Sequence, residues 1–320
     1  MERGANALPD LLFPARLVRQ NSAVQTGYRL VHLRNGVYSV RSLAEDETFH
    51  PGIGPVAEAE ALYVRQLGLP ERVRETREEF VIWDVGLGGA ANALTAIRSV
   101  SEALNGRPAR LRMISFDRTS DALAFALEHV DALRYPAGFE VPLAELVQKH
   151  SAKFGAGTLE VEWDFVIGDF PALLAKPPLK TQNSKLLPPH AVLFDPHSPG
   201  KNPAMWTASL FAGLFRRLDP QRPCSLATFT RSTMVRAALL LGGFFVGVGH
   251  PSGLKEETTV AANRSELLDE PLGRRWLERA QRSAAAEPLG EPLYRQAPLS
   301  PETRERLQRH SQFSRTLPSR

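Results

Sequence analysis

The chain has 320 residues, 43% of them hydrophobic, 23% charged and 8% aromatic, which is enough apolar mass for one large core and excludes wholesale disorder or a fibrous repeat. No apolar run approaches the roughly 20 residues that cross a bilayer, and residues 1–20 lack a continuous signal core, so the expectation is a cytoplasmic protein with no membrane partner. The single cysteine, Cys224, excludes an internal disulfide and a cysteine-rich metal site. Lys and Arg number 39 against 35 Asp and Glu, a net charge of +4. Residues 271–320 hold ten Arg and five Glu, so the excess lies entirely in that stretch. It reads either as a solvated, partly ordered tail or as an arm that touches phosphates. Three segments follow: a hairpin and helix element over residues 1–75, a main domain over 76–270, and the basic tail.

In chain order, strand-like runs at 28–34 and 37–42 flank Asn35-Gly36, a type I′ hairpin signal. Pro55 opens a stretch in which Val56, Ala59, Leu62 and Tyr63 recur at helical spacing. From residue 80 onward, apolar runs at 80–85, 111–116, 159–166, 191–194, 225–229 and 244–248 alternate with helical stretches at 90–104, 120–130, 143–154, 203–218 and 232–241. That alternation predicts a parallel sheet covered on both faces. Asn202 is placed to cap the helix that Pro203 begins, and Gly242-Gly243 to end the next one. The proline-rich stretch 171–190 reads as a surface excursion. Cys224 reads as a core residue at the start of the fifth strand. The run at 257–262 follows the sixth strand too closely for a helical crossover, so that pair must be antiparallel. Six strands closed by an antiparallel hairpin predict the class I S-adenosylmethionine-dependent methyltransferase form of the doubly wound α/β (Rossmann-like) fold, with the small amino-terminal hairpin added.

The first strand runs into Asp84-Val85-Gly86-Leu87-Gly88-Gly89-Ala90-Ala91-Asn92. Glycines at a strand-to-helix turn let backbone amides approach a ligand. Dinucleotide sites aim those amides at pyrophosphate, whereas an acid two residues ahead of the glycines repels phosphate and suits the ammonium end of S-adenosyl-L-methionine. Asp117, at the tip of the second strand, is placed either to accept ribose hydroxyls or to cap the next helix. Asp169, after the third, is either an adenine contact or part of a plain turn. Asp195, after the fourth, lies in a loop stiffened by Pro196, Pro199 and Pro203 and faces the same crevice, where a carboxylate can hold an amine or take its proton.

These motifs resemble those of the MnmC-like methyltransferase domain. The resemblance is carried by the Asn35-Gly36 hairpin with Glu47-Thr48-Phe49-His50 and Glu58, by Gly86-Leu87-Gly88-Gly89-Ala90-Ala91-Asn92, by Ile114-Ser115-Phe116-Asp117, by Gly168-Asp169, and most specifically by Asp195-Pro196-His197-Ser198-Pro199-Gly200-Lys201-Asn202-Pro203-Ala204-Met205-Trp206-Thr207. Leu226-Ala227-Thr228-Phe229-Thr230, Val235-Arg236 and Lys255-Glu256-Glu257-Thr258-Thr259 continue it, so that it covers roughly residues 30–262. It implies methylation of the aminomethyl group of 5-aminomethyl-2-thiouridine at the tRNA wobble position, with S-adenosyl-L-methionine and neither FAD nor a metal. It also implies a stand-alone form without the FAD-dependent oxidase domain, and a monomer or weak dimer.

Residue by residue, the resemblance implies that Gly86, Gly88 and Asn92 form the cofactor loop that Asp84 precedes, that Asp117 holds ribose, that Asp169 meets adenine and that Asp195 is the catalytic acid. His50 and Trp206 either line the substrate pocket or serve as buried structural residues, and His197 is placed on the substrate side. Lys201, Arg231, Arg236, Lys255 and the tail arginines read either as solvated surface charges or as contacts to phosphates of the anticodon stem-loop. Two departures stand out: the family's third loop glycine is Ala90, and His197 replaces a frequent Phe. The readings set against this one are a same-fold methyltransferase acting on another amine, a non-catalytic binding protein, and an NAD dehydrogenase.

Overall fold

The computed structural model describes residues 27–175, 186–253 and 255–314. The expected excursion at 171–190 therefore falls partly outside them. An amino-terminal sheet joins β1 (Tyr28–His32), β2 (Tyr38–Ser42) and the short β3 (Glu47–Thr48), each antiparallel to its neighbour. The Asn35-Gly36 hairpin forms, with a different turn from the one expected. Gly36 N donates to Leu33 O at 3.0 Å and only Gly36, at φ 84°, is left-handed, so the loop is a three-residue type I turn with a glycine bulge. A type I′ turn needs Asn35 at positive φ as well.

The main sheet comprises β4 (Glu79–Val85), β5 (Ala109–Asp117), β6 (Ser151–Ala156), β7 (Leu159–Ile167), β8 (Ala191–Phe194), β9 (Ser225–Thr228), β10 (Phe245–Gly249) and β11 (Thr258–Ala262), in the order β10-β11-β9-β8-β4-β5-β7-β6. β5, β7, β8 and β9 extend β4 in parallel, and β11 runs antiparallel between β9 and β10, as the short connection required. Alternate residues of a central strand serve opposite faces. Phe80 and Ile82 join a core with Leu94, Ile97 and Tyr63, while Val81, Trp83 and Val85 join another with Trp206, Phe211 and Leu239. The switch point between β4 and β8 thus lies mid-sheet, where a doubly wound fold opens its ligand crevice.

Four expectations need correction. The helix at 143–154 ends as Glu140–Lys149, because His150 takes a left-handed φ of 58° and the chain turns into β6, which doubles back on β7 at Gly157. The helix at 203–218 is a 3₁₀ turn, Pro203–Trp206, followed by the helix Ala208–Phe215. Its cap is Thr207, whose hydroxyl accepts from Leu210 N at 3.1 Å; Asn202 makes no capping bond. The Pro55 stretch begins as the α-helix Pro55–Ala59 and widens into a π-helical segment, Glu60–Arg65, that buries Leu62 and Tyr63 but leaves Val56 exposed.

The tail is the fourth. Residues 271–314 fold into the helices Arg274–Arg282, Pro301–Gln308 and Ser311–Ser314, and Trp276, Leu277, Leu299, Leu307 and Phe313 enter the second core. The Gln312 side chain donates to Val246 O and Leu272 O and accepts from Val246 N, tying this layer to β10. Apolar residues at three- and four-residue spacing sit on one face of an otherwise arginine-rich helix, which is why composition alone concealed the packing.

Candidate active site

A crevice of about 620 Å³ opens at the carboxyl ends of β4, β5 and β8, walled by Gly86, Gly88, Asp117 and Asp195 and roofed by Glu47, Phe49 and His50 of the amino-terminal element. Its floor is shaped by missing side chains. Gly86 has φ 92°, and a Cβ there would lie 2.6 Å from the Asp195 carbonyl oxygen; a Cβ on Gly88 would lie 3.2 Å from the Phe49 ring. Ala90 sits fully buried at φ 65° as the residue before the helix Ala91–Ala103. This left-handed site is one where glycine is the unstrained choice, so the alanine is tolerated at the expense of some backbone strain.

Asp117 lines the crevice. One carboxylate oxygen accepts from Gly88 N at 2.9 Å and the other from Arg118 N at 2.7 Å. Burial raises its pKa, and those two amides oppose the rise. The helix after it starts at Asp121 behind Ser120, so Asp117 is not a helix cap and presents its acid to the crevice instead. Asp84 lies beneath, 1% exposed. Its Oδ2 accepts from Ser115 Oγ at 2.8 Å, which itself accepts from Trp163 Nε1, while Oδ1 is buried without a partner. Burial lifts its pKa to about 7, with Ser115 pulling the other way.

Asp195 is the best-supported group of the site. Asn92 Nδ2 donates to its Oδ2 at 2.7 Å, His50 Nδ1 stands 3.9 Å from the same oxygen, and the Tyr63 hydroxyl donates to the adjoining Phe194 O at 3.5 Å. Asp195 N donates to Val85 O at 2.9 Å, fixing the loop to the sheet. Asn92 therefore holds the acid, and it is not among the residues facing the crevice. Glu58 does face it; burial raises its pKa although it accepts from the Gly52 and Ile53 amides and lies near His50. Lys255 lines the same wall. Its ammonium donates to Phe229 O at 3.0 Å and lies 4.4 Å from the Phe229 ring centre, and burial lowers its pKa.

His197 faces the crevice, with its ring 5.6 Å from Phe49 and Nδ1 3.6 Å from Glu47, which also accepts from Ser198 N and Oγ. Burial pushes the Glu47 pKa up, but His197 and the Ser198 bonds outweigh it and hold the group below the usual range.

Other expected residues lie elsewhere. Trp206 is fully buried, with its indole N–H donating to His197 O at 2.8 Å; it braces the loop after β8 from behind. Arg236 is 3% exposed and spends its donors on Thr259 Oγ1, Thr258 O and Glu257, so it clamps β11 and is withdrawn from any phosphate. Asp169 caps the helix Phe170–Ala175 by accepting from Ala172 N at 2.7 Å, and its neighbours Gly168 and Phe170 line the crevice in its place. Lys201 is exposed outside the crevice. Cys224 is buried one residue ahead of β9, with its pKa raised by burial to about 12.

Sequence reasoning missed Tyr63, which periodicity presents as one more apolar-face residue. The π-helical widening aims its hydroxyl at the Phe194–Asp195 corner; such segments recur at functional sites. Glu47, Phe49 and Glu58 stood inside recognised motifs without an assigned role.

Residues 143–264 match the family described as S-adenosyl-L-methionine-dependent methyltransferase. Among curated proteins, the chain is 31% identical over 222 residues to the tRNA 5-methylaminomethyl-2-thiouridine biosynthesis bifunctional protein MnmC of Aeromonas hydrophila, covering 66% of this chain and 32% of that protein. It is 28% identical over 227 residues to the protein of the same name from Cupriavidus metallidurans, covering 68% and 31%. The chain thus spans about a third of the length of the curated relatives it matches. Among solved structures, MNMC2 from Aquifex aeolicus superposes with a TM-score of 0.62 at 20% identity, over 84% of this chain and 80% of that one, a likeness of fold. The strand order, the glycine turn with its two acids and these similarities agree on a class I S-adenosyl-L-methionine-dependent methyltransferase fold, similar to that of the MnmC proteins.

Proposed function

We propose that the chain methylates the aminomethyl nitrogen of 5-aminomethyl-(2-thio)uridine at the tRNA wobble position. The observation that carries this reading is Asp195, an acid held by Asn92 and so one hydrogen bond away from the helix that the glycine turn begins. The curated relatives, whose name specifies 5-methylaminomethyl-2-thiouridine in tRNA, supply the substrate class.

The residues present fit S-adenosyl-L-methionine. Gly86 leaves room where a Cβ would collide with Asp195 O, Asp117 offers a crevice-facing acid for ribose hydroxyls, and Asp84, 1% exposed beneath the crevice lining, has Oδ1 without a protein partner. When bound, the cofactor supplies an electrophilic methyl group. The chain's task is to deliver a neutral amine. A free alkylamine has a pKa near about 10, so at neutral pH it is mostly protonated. Two features oppose that. Burial disfavours the ammonium, as it already does for Lys255 in this same wall. Asp195 accepts a hydrogen of the nitrogen and takes the proton that must leave as the N–C bond forms. Phe49 and His197 stand on the substrate side as flat surfaces for a base splayed out of a single-stranded loop.

The test is mass spectrometry of wobble nucleosides after incubating aminomethyl-bearing tRNA with the chain and S-adenosyl-L-methionine. The expected result is a gain of one methyl group on the 5-aminomethyl-(2-thio)uridine. Methylation of small amines with none on the tRNA would overturn the assignment of substrate while leaving the methyltransferase in place.

A further inference from the structure

The roof of the crevice sets a strained histidine beside the acid of the site. His50 follows β3 and takes a φ of 47°, a left-handed conformation that few residues other than glycine adopt. The next residue is Pro51, which biases its predecessor toward extended backbone and so makes this conformation harder still. Both flanks of the histidine are pinned. The Phe49 carbonyl accepts from Ser39 Oγ, and Phe49 N donates to Val40 O at 2.8 Å. On the other side Glu58 Oε1 accepts from Gly52 N at 2.6 Å and from Ile53 N at 3.0 Å. Strain held from both sides in this way gathers where a side chain has to be aimed.

The ring is aimed at Asp195. His50 Nδ1 lies 3.9 Å from Asp195 Oδ2, and the two side chains are 13% and 16% exposed, so both still reach the crevice. Among the described residues no other basic side chain pairs with this carboxylate. Asn92 Nδ2 bonds the same oxygen at 2.7 Å, but an amide nitrogen only donates there and cannot take up a proton. The separation of His50 from the acid is longer than a hydrogen bond, and a shared water or a small turn of the ring closes such a gap once a site is filled.

Asp195 alone leaves the proton undelivered. The substrate nitrogen arrives mostly as an ammonium and sheds one proton for each methyl group transferred. A carboxylate that has taken this proton must pass it on before the next turnover. Imidazole suits that step near neutral pH, because one ring nitrogen accepts while the other releases.

We infer that His50 is the proton relay of the site and acts through Asp195. The inference rests on the reading that the methyl acceptor is an amine. The proton moves from the substrate ammonium to Asp195 Oδ2 and on to His50 Nδ1, and the imidazolium then loses the proton on Nε2 to solvent. The lone pair freed on the substrate nitrogen forms the N–C bond as the C–S electron pair leaves with sulfur.

The test compares the wild type with H50G and H50Q in single-turnover methylation of aminomethyl-bearing tRNA, read by mass spectrometry of the wobble nucleoside. Glycine is the unstrained residue at a left-handed position, so H50G should unfold at no lower temperature than the wild type. Its methylation rate should nevertheless fall roughly tenfold or more, with S-adenosylhomocysteine affinity and the half-saturating tRNA concentration within about threefold of the wild type. Added 4-methylimidazole should raise the H50G rate in proportion to its concentration. H50Q, which keeps a polar side chain but no ring to carry a proton, should be as slow as H50G. Wild-type rates in either variant, or a loss in H50G that 4-methylimidazole leaves untouched, would overturn the relay. Methyl transfer by the wild type to ethylamine and none to the tRNA would sink the proposed substrate, and the same loss and rescue measured on ethylamine would keep the relay.

Discussion

Substituting Asp84 by Asn separates the cost of this buried acid from its use. The carboxyl is 1% exposed, accepts one hydrogen bond from Ser115 and has one oxygen without a partner, and its pKa stands at about 7 against an ordinary 3.8. A displacement of roughly three pH units at 1.36 kcal/mol each is worth about 4 kcal/mol, an upper figure given local relaxation. The sign follows from linkage. A group that holds its proton more tightly when folded contributes stability that is complete below the unfolded pKa and lost as pH rises to the folded one. The wild type should therefore lose stability relative to the Asn variant between about pH 4 and 7, with the gap constant above pH 7. Asn keeps the acceptor for Ser115 and carries no charge to desolvate, so at pH 8 the variant should unfold at higher temperature than the wild type. The same variant should bind S-adenosylhomocysteine at least tenfold more weakly, a loss of about 1.4 kcal/mol or more, because the amino-acid ammonium loses its countercharge. Thermal unfolding from pH 4 to 8, paired with calorimetry, reads both effects. Parallel pH profiles for the two proteins would refute the buried-charge argument, and unchanged affinity would remove Asp84 from the cofactor site.

Three further outcomes follow from the same geometry. D195A should lower kcat by about 10² to 10⁴ while S-adenosylhomocysteine affinity by calorimetry stays within a few-fold; undiminished turnover would take the acid out of the chemistry. Y63F deletes the hydroxyl that donates to Phe194 O at 3.5 Å behind Asp195, a neutral hydrogen bond worth about 0.5–1.5 kcal/mol, and should lower kcat with KM nearly constant; a change in KM alone would mean that Tyr63 only packs. G86A places a methyl on a left-handed residue 2.6 Å from a backbone oxygen, so chemical unfolding should show a loss of about 1–3 kcal/mol together with a collapse of cofactor binding, and wild-type behaviour would show that the close approach is not needed.

Much of the architecture was legible because it is local. Apolar runs of four to nine residues marked every parallel strand, and a connection too short for a helix forced β11 to run antiparallel. The acids at strand tips could be found because a doubly wound sheet sends all its carboxyl ends to one crevice. What escaped depends on distant contacts or on which way a side chain turns. Trp206 and Arg236 sit in motifs that look like substrate contacts, yet one is fully buried and the other is consumed by Thr258, Thr259 and Glu257. Tyr63 meets the Asp195 corner from 131 residues earlier in the chain, through a π-helical register that no apolar spacing announces. Residues 151–156 lie in a strand because His150 breaks the helix in a left-handed conformation. The arginine-rich carboxy-terminal stretch reads as solvated by composition, and only its Trp276, Leu277 and Ala280 spacing hints at the face that packs.

The most direct measurement is a crystal structure of the chain with S-adenosylhomocysteine. The account predicts its ribose hydroxyls on Asp117, its amino-acid end against the Gly86 turn above Asp84, and its sulfur turned toward the carboxylate of Asp195. Nucleoside density outside this crevice, or inside it with Asp117 unengaged and Asp195 on the opposite side from the sulfur, would contradict it.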